Sequence, residues 1–591
     1  MIKNLALKKL WNHLSKRRQR QFWLLLVFMI FTSLIEVVSI GAVLPFLGVL
    51  IAPEQIYQYS LVQPIIQKLQ ITTPEQLILP FTIVFIIAAF TAGMVRILLL
   101  YVMTRLSYST GSDLSINIYE RTLYQEYSIH VSRNSSEVIN GIITKANMVI
   151  GGVVNPMLIL ISSVILILTI LSMLLAIDTI TALVAFVGFG GTYWGMIKYT
   201  RHKLKENSQC IADQSTQMVK SLQEGLGGIR DVLIDGNQQF YCQIYRRADT
   251  SYRTALGMNN FISGSPRFFV EAIGMILIAG LAYFMSLYEE GLVTAIPVLG
   301  ALALGSQKLL PALQQAYSSY SAIKGAEVSF YDVLNLLDQP LPEYSDQALP
   351  KPIAFKKEIK LINLNFRYTK ESPWVLKDIN LSIKKGARIG FIGKTGSGKS
   401  TLLDIIMGLI SPTSGELFID KQLITSETRR SWQLHISHVP QHVYLSDSSI
   451  EENIAFGVPK EEIDLQKVRE VAQQAKIADL INGWQEGYQT SVGERGVKLS
   501  GGQRQRIGIA RALYKQADVL IFDEATSALD NETEQAIMKS IEGLDKELTI
   551  LIIAHRLTTL KNCDKIVRLG KNNTAQILNY EDIVRLDSNS K

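Results

Sequence analysis

Residues Gly393 to Thr401 read GKTGSGKST, and this short stretch decides what the C-terminal half of the chain is. It follows the apolar run Arg388–Ile392 and leads into LLDIIMGLI, so the pattern G-x4-G-K-S stands between an expected strand and an expected helix. In that context the pattern signals a phosphate-binding loop. Gly393, Gly396 and Gly398 let backbone N–H groups wrap phosphate oxygens, and the following helix adds its positive N-terminal end. Lys394, Thr395, Ser397 and Thr401 complete the cradle. Lys399 is expected to reach the β- and γ-phosphates, and Ser400 to ligate Mg2+. Average residue frequencies give such a match by chance in roughly 2% of chains this long. Further residues must therefore decide.

Two do. Residues 519–524 read VLIFDE, a buried strand that delivers Asp523 and Glu524 at its C-terminal end. A carboxylate for the metal, followed by a base that orients the attacking water, suits phosphoryl transfer. Between the two stretches lies LSGGQ (Leu499–Gln503), whose small residues open a helix with free N–H groups. Short β-rich runs at Ile359–Arg367, Arg388–Ile392, Val519–Phe522 and Thr549–Ile553 alternate with helical segments, which indicates an α/β domain over 353–591. His435, His438 and His442 are loosely spaced like metal ligands, but no Cys or carboxylate cluster joins them, and a structural role is expected.

Upstream, DQPLPEYSDQALPKP (338–352) carries four of the 17 prolines and reads as a linker. Before it the chain is greasy. Apolar spans are expected near 22–51, 77–103, 151–177, 178–200, 268–288 and 291–313, each close to the ~20 residues that cross ~30 Å of hydrocarbon. The first is too long for a signal-peptide core. The connections at Asp178 and Glu289–Glu290 are acidic, whereas 104–150 and 201–267 are long and basic. The positive-inside rule then puts the N-terminus, those stretches and the α/β domain in the cytoplasm. A surface helix is expected at 61–71 on the other side, started by Pro64.

Formal net charge is +7, and mean hydropathy is +0.19. The first 21 residues hold Lys3, Lys8, Lys9, Lys16, Arg17, Arg18 and Arg20 and no acid, so the whole imbalance is one arm. Leu7, Leu10, Trp11 and Leu14 share a helical face there, which suits an interfacial helix on membrane lipid rather than a nucleic-acid partner. Three cysteines exclude a disulfide scaffold.

With these motifs the chain resembles ATP-binding cassette (ABC) transporters over its full length, LSGGQ matching the signature motif. The resemblance implies a six-helix transmembrane domain followed by a P-loop cassette, an exporter fold that works as a domain-swapped homodimer with ATP and Mg2+. It implies that Tyr368 stacks on adenine and that Gln441 is the Q-loop glutamine, touching Mg2+ with Ser400 and Asp523. Glu524 becomes the catalytic base, Ser527–Asp530 the D-loop, and His555 the switch histidine. Ser500, Gly501, Gly502 and Gln503 would close on ATP held by the other subunit. VGERG (Val492–Gly496) resembles the exporter X-loop, and Tyr127–Asn134 and Gly228–Gln239 resemble coupling helices.

Charges inside apolar spans are costly, about 2.5–3.5 kcal/mol each on insertion scales. Glu36, Arg96, Glu271 and Lys308 lie within spans, and Arg267 at the mouth of the fifth. They either pair as bridges between helices, or Arg96, Arg267 and Lys308 face one cavity and hold an anionic substrate. SLIEVVSIGAVLPFL, MVRILLLY, SPRFFVEAIGM and SQKLLPALQQAY resemble PglK-type flippases of lipid-linked oligosaccharides and HepA-like polysaccharide exporters. That resemblance implies an inner-membrane flippase of a polyprenyl-pyrophosphate glycan, the three cations engaging pyrophosphate. The alternatives are an exporter of a hydrophobic drug, lipid or peptide, and an ATP-gated channel or regulatory module.

Overall fold

Pro45 divides the first apolar run, because a proline has no N–H to give the carbonyl one turn back. The computed structural model describes residues 4–51, 53–59, 62–69, 71–177, 179–286, 309–525, 530–542, 547–554, 556–570 and 574–588. In it α1 (Asn4–His13) and α2 (Lys16–Gly41) are followed by a separate α3 (Val43–Ile51). After a further short helix, α4 (Pro53–Tyr57), the short α5 (Gln63–Leu69) lies where a surface helix is expected. Ile66 of α5 is buried with Val49, Ile71 and Leu77 in a small apolar cluster.

Next come α6 (Ile78–Leu123), α7 (Tyr127–Ser132), α8 (Ser135–Asn140), α9 (Ala146–Val149) and α10 (Asn155–Ile177). Five-residue π-helical segments, Gly141–Lys145 and Ile150–Val154, join α8, α9 and α10 into one continuous rod. Then follow α11 (Thr179–Gly227), α12 (Ile229–Ile234), α13 (Gln238–Gly264), α14 (Pro266–Ser286), α15 (309–325) and α16 (Glu327–Leu337). At 1.5 Å per residue, the 46 residues of α6 and 49 of α11 reach about 70 Å. They therefore run far beyond a 30 Å hydrocarbon layer, and the expected polar stretches 104–150 and 201–267 are largely helical extensions of spans. Among the described residues three stretches are long and apolar enough to cross a membrane: Lys16–Gly41, Pro74–Leu123 and Ser135–Met173. Asp178, Glu289–Glu290 and the sixth expected span up to Lys308 lie outside the described residues.

The arm differs from its expected form. Ser15 caps α2 by accepting from the Arg18 N–H at 3.3 Å, so the span helix starts at Lys16, inside the arm. Ala6, Leu10 and Leu14 pack on Leu114 and Ile118 of α6 and on Phe330, Val333, Leu334 and Leu337 of α16. Much of the stripe read as lipid-facing is thus protein core. Ion pairs from Lys9 to Asp338 (2.6 Å) and from Arg18 to Asp113 (2.7 Å) hold it there.

The chain divides into Met1–Gln125 with Ile129–Pro342, and Glu126–Ser128 with Glu343–Lys591. The second unit contains β1 (Glu358–Phe366), β2 (Leu376–Lys384), β3 (Arg388–Gly393), β4 (Ser414–Ile419), β5 (Gln422–Leu423), β6 (Ile436–Val439), β7 (Val519–Asp523), β8 (Thr549–Ile553), β9 (Lys565–Leu569) and β10 (Ala575–Leu578). Its helices are α17 (Lys399–Ile406), α18 (Arg429–Gln433), α19 (Ile450–Ile454), α20 (Leu465–Gln474), α21 (Ala478–Asn482), α22 (Gly501–Tyr514), α23 (Asn531–Glu542) and α24 (Tyr580–Ser588). One antiparallel sheet has the order β2-β1-β4-β5; the other, β10-β9-β3-β8-β7-β6, is parallel except for its β10 edge. The interior strands β3, β8 and β7 read almost wholly apolar, as strands covered on both faces must, while β6 (ISHV) closes the edge beside β7. Their C-terminal ends carry the P-loop, Asp523 and the Gln441 turn, the usual ligand edge of a parallel sheet.

Candidate nucleotide site and membrane cavity

The P-loop turns from β3 into α17 through two residues with left-handed backbone, Gly396 (φ +79°) and Gly398 (φ +91°). A Cβ on Gly398 would stand 2.9 Å from the Val375 carbonyl oxygen, so only glycine lets the loop pass that close. Lys399 is 7% exposed, and its Nζ donates to the Gly393 and Lys394 carbonyls at 2.9 and 3.3 Å. That ammonium is folded over the loop. Beside it the Ser397 hydroxyl is buried with no hydrogen-bond partner among the described residues. A lysine resting on its own loop and an orphaned hydroxyl fit a bound phosphate.

Three carboxylates converge below. Asp523 accepts a hydrogen bond from Ser400, yet burial, aided by the Glu524 charge, holds its carboxyl above the usual range. Burial and Asp523 push Asp404, one helical turn after Ser400 on α17, up to about 6. Such acids gathered with a serine hydroxyl are a donor set that a hard divalent cation relieves. Gln441, just after β6, donates Nε2 to Glu524 Oε2 at 2.6 Å. Glu524 itself has φ +51°, a left-handed conformation that costs a side-chain-bearing residue about 1–3 kcal/mol and collects at functional sites. Its N–H is fixed by the Ile553 carbonyl of β8 at 3.1 Å.

Tyr368 donates or accepts with Thr401 Oγ1 at 3.0 Å, packs edge-on against Phe366, and leaves 60% of its surface exposed. An aromatic braced at the edge and open on its face can stack on a base. The LSGGQ residues form a capping box: Ser500 Oγ accepts from the Gln503 N–H, and Gln503 Oε1 from the Ser500 N–H. Gly501 and Gly502 are the first helical residues of α22, with amide groups at a positive helix end. His555 and Ser527–Leu529 lie outside the described residues. Asp530 caps α23 by accepting from the Thr533 N–H at 2.8 Å.

Sequence reasoning passed over Arg511. It reaches from α22 to the Asn453 and Tyr444 carbonyls at 2.9 and 2.8 Å, and burial brings it down to about 10. The signature helix is thereby tied to the segment that follows Gln441. Asp404 was also passed over, although its spacing from Ser400 was a usable signal. Of the three histidines, His435 is held by Asp518 and by the Ile353 carbonyl, which leaves neither of its ring nitrogens for a metal. His438 is buried, which lowers its pKa.

In the first unit Arg96 of α6 pairs with the buried Glu36 of α2 at 2.8 Å. The pair lines a cavity of about 530 Å3 whose wall is mixed: Thr32, Ser33, Ser162, Ser163, Gln314, Gln315, Ser318 and Ser319 stand beside Ile97, Leu99, Leu100, Met103, Ile159 and Leu166. Arg267 differs from the expected shared cluster: it does not line this cavity, and it pairs with Glu271 one turn along α14 at 2.7 Å. Lys308 lies outside the described residues. In the second unit Glu126, just before α7, pairs with Arg429 at 3.5 Å.

Comparison with known proteins agrees with this geometry. Residues 376–527 match the ABC transporter family, and residues 22–294 match the ABC transporter transmembrane region. An ATP-dependent lipid A-core flippase of Saccharophagus degradans is 30% identical over 494 residues, 82% of this chain and 81% of that one. A toxin RTX-I translocation ATP-binding protein of Actinobacillus pleuropneumoniae is 39% identical over 271 residues, 45% of this chain and 37% of that one. A bacterial Atm1-family ABC exporter solved with ATP bound superposes with a TM-score of 0.76 at 23% identity, over 97% of this chain and 96% of that one, which fixes the fold. The chain belongs to the ABC transporters and is an ATP-driven exporter with its transmembrane and ATP-binding domains fused in one polypeptide.

Proposed function

We propose that ATP hydrolysis by this exporter flips or exports a lipid-linked anionic glycan, of polyprenyl-pyrophosphate type, across the inner membrane. The working unit is a homodimer with both cassettes in the cytoplasm. The observation that carries the cargo reading is the set of hydroxyls and amides that joins apolar side chains in the cavity around Arg96, since sugars and phosphates need many such partners inside an apolar layer. A relative that is a lipid A-core flippase supports a lipid that bears sugar.

In the ATP cycle the P-loop amides and Lys399 bind the β- and γ-phosphates, and Tyr368 stacks on adenine. Ser400, Gln441 and Asp523 would hold Mg2+, which neutralises charge between the phosphates when bound. Glu524, pointed by Gln441, takes the proton of the attacking water, and His555 senses the γ-phosphate. Ser500, Gly501, Gly502 and Gln503 of one subunit close on nucleotide bound to the other.

A second reading, an exporter of a hydrophobic drug, lipid or peptide, is favoured by one fact: Glu36 already neutralises Arg96. Reconstitution in liposomes with a fluorescent polyprenyl-pyrophosphate glycan separates the two. ATP-dependent protection of the glycan by wild type supports the first, and no protection rejects it. Protection unchanged after Arg96, Arg267 and Lys308 are all neutralised rejects those cations as the phosphate site.

A further inference from the structure

The N-terminal arm borders a cavity that takes no part in nucleotide binding or in the Arg96 cavity. α1, the first half of α2 and residues 153–161 enclose about 300 Å3 lined by apolar side chains alone, among them Leu10, Trp11, Trp23, Met29, Val154 and Met157. The Trp11 ring lies 6.0 Å from Phe22 and 6.4 Å from Trp23, centroid to centroid. This aromatic group sits where the basic first turn of α2 gives way to its apolar run, the depth at which tryptophans mark a membrane–water boundary.

Cations stand around it. Lys8 precedes Trp11 by three residues on α1; on α2, Arg20 precedes Trp23 by three and Lys16 by seven, so helix geometry sets each on the side of a tryptophan. All three are exposed, and none forms an ion pair among the described residues, whereas Lys9 and Arg18 are answered by Asp338 and Asp113. The first 21 residues supply no acid of their own. A dry slot under an unanswered cationic rim is complementary to an amphiphile with an acyl chain and a negative head.

We propose that this groove is a binding site for an anionic phospholipid of the cytoplasmic leaflet. One acyl chain lies between α1, α2 and residues 153–161, and the phosphodiester meets Lys8, Lys16 and Arg20. Apolar burial holds the chain regardless of headgroup, and the cations supply the selectivity, about fivefold per lysine or arginine near the surface. The site is independent of the transported cargo, so failure of either assignment leaves the other standing.

Native mass spectrometry of the full-length protein, released from nanodiscs with equal amounts of palmitoyl-oleoyl phosphatidylglycerol and the matching phosphatidylcholine, tests it. Wild type should retain phosphatidylglycerol in at least about fivefold preference. Lys8→Gln/Lys16→Gln/Arg20→Gln should bring the ratio close to one. Met157→Trp, which fills the slot and spares the charges, should lower retention of both lipids. Equal retention of the two lipids by wild type, or an unchanged preference in the triple variant, overturns the proposal. Preference lost in the triple variant with retention unaffected by Met157→Trp overturns the groove and leaves a charged arm alone.

Discussion

The two sites of this exporter treat charge in opposite ways. At the cassette, Asp404, Asp523 and Glu524 crowd together, and the Lys399 ammonium donates to the Gly393 and Lys394 carbonyls. In the membrane unit, Arg96 and Arg267 each have a carboxylate within 2.8 Å. A surplus of one sign is stored where a ligand of the other sign arrives, and it is affordable because the cassette is in water. Inside an apolar layer an unanswered charge is too costly to keep waiting, so the protein supplies the counter-charge itself. Unanswered charge therefore marks a binding site in the cassette, whereas in the membrane the pairs must be opened before they can bind anything.

The largest expected effect tests the cassette side. Glu524→Gln keeps the shape and the contact to Gln441 but removes the proton acceptor, and steady-state ATP hydrolysis should fall by about 10²- to 10⁴-fold with nucleotide binding retained. Turnover within a few-fold of wild type would mean that the strained carboxylate is not the base. Lys399→Ala comes next. It removes charge-assisted bonds to phosphate, and nucleotide affinity in equilibrium dialysis should weaken by about 10- to 100-fold.

Much of the cassette contrast was legible in the sequence because its elements are local. Gly393–Thr401 and VLIFDE each carry their chemistry in one stretch, and the four expected strands fall within a residue or two of β1, β3, β7 and β8. The Gln441–Glu524 contact spans 83 positions, yet both ends were named, Glu524 because it ends an apolar strand and Gln441 through the family resemblance. The membrane side was legible as composition but not as pairing. Glu36 and Arg96 are 60 residues apart on different helices, and nothing local says whether Glu36 or Glu271 answers Arg96. The arm was misread for a similar reason: Leu10 and Leu14 form one stripe, which looks the same against lipid as against Phe330 and Leu334. The π segments at Gly141–Lys145 and Ile150–Val154 have no sequence signal apart from their glycines, and there packing decided. A Cβ on Gly152 would stand 2.7 Å from that of Ala326, so the rod approaches α16 too closely for a side chain.

Two substitutions at the membrane pair sharpen the comparison further. If the pair is only a brace, Glu36→Gln and Arg96→Gln each lose transport by leaving a partner unanswered, and the double variant recovers most of it. If Arg96 also meets the cargo, the double variant stays as low as Arg96→Gln, about tenfold below wild type, in the liposome assay. Recovery in the double variant would place the cargo site elsewhere.

The smallest effect concerns Asp338, where the arm is tied to the end of α16. Hydrogen bonds from Lys9 and His13, at 2.6 and 2.9 Å, hold its carboxyl below the ordinary value of 3.8. A lowered carboxylate pKa means that the contact stabilises above the ordinary value and is lost as pH falls through the folded-state value. Asp338→Asn should therefore cost under about 1 kcal/mol near neutrality, since the pair is partly exposed and screened. Hydrogen exchange over residues 4–13 should be faster in the variant at pH 7.5 and match wild type once both are acidified below the folded-state value. A difference that persisted in acid would mean that Ala6, Leu10 and Leu14, rather than charge, set the arm's position, and would place the arm with the core instead of with the paired charges of the membrane unit.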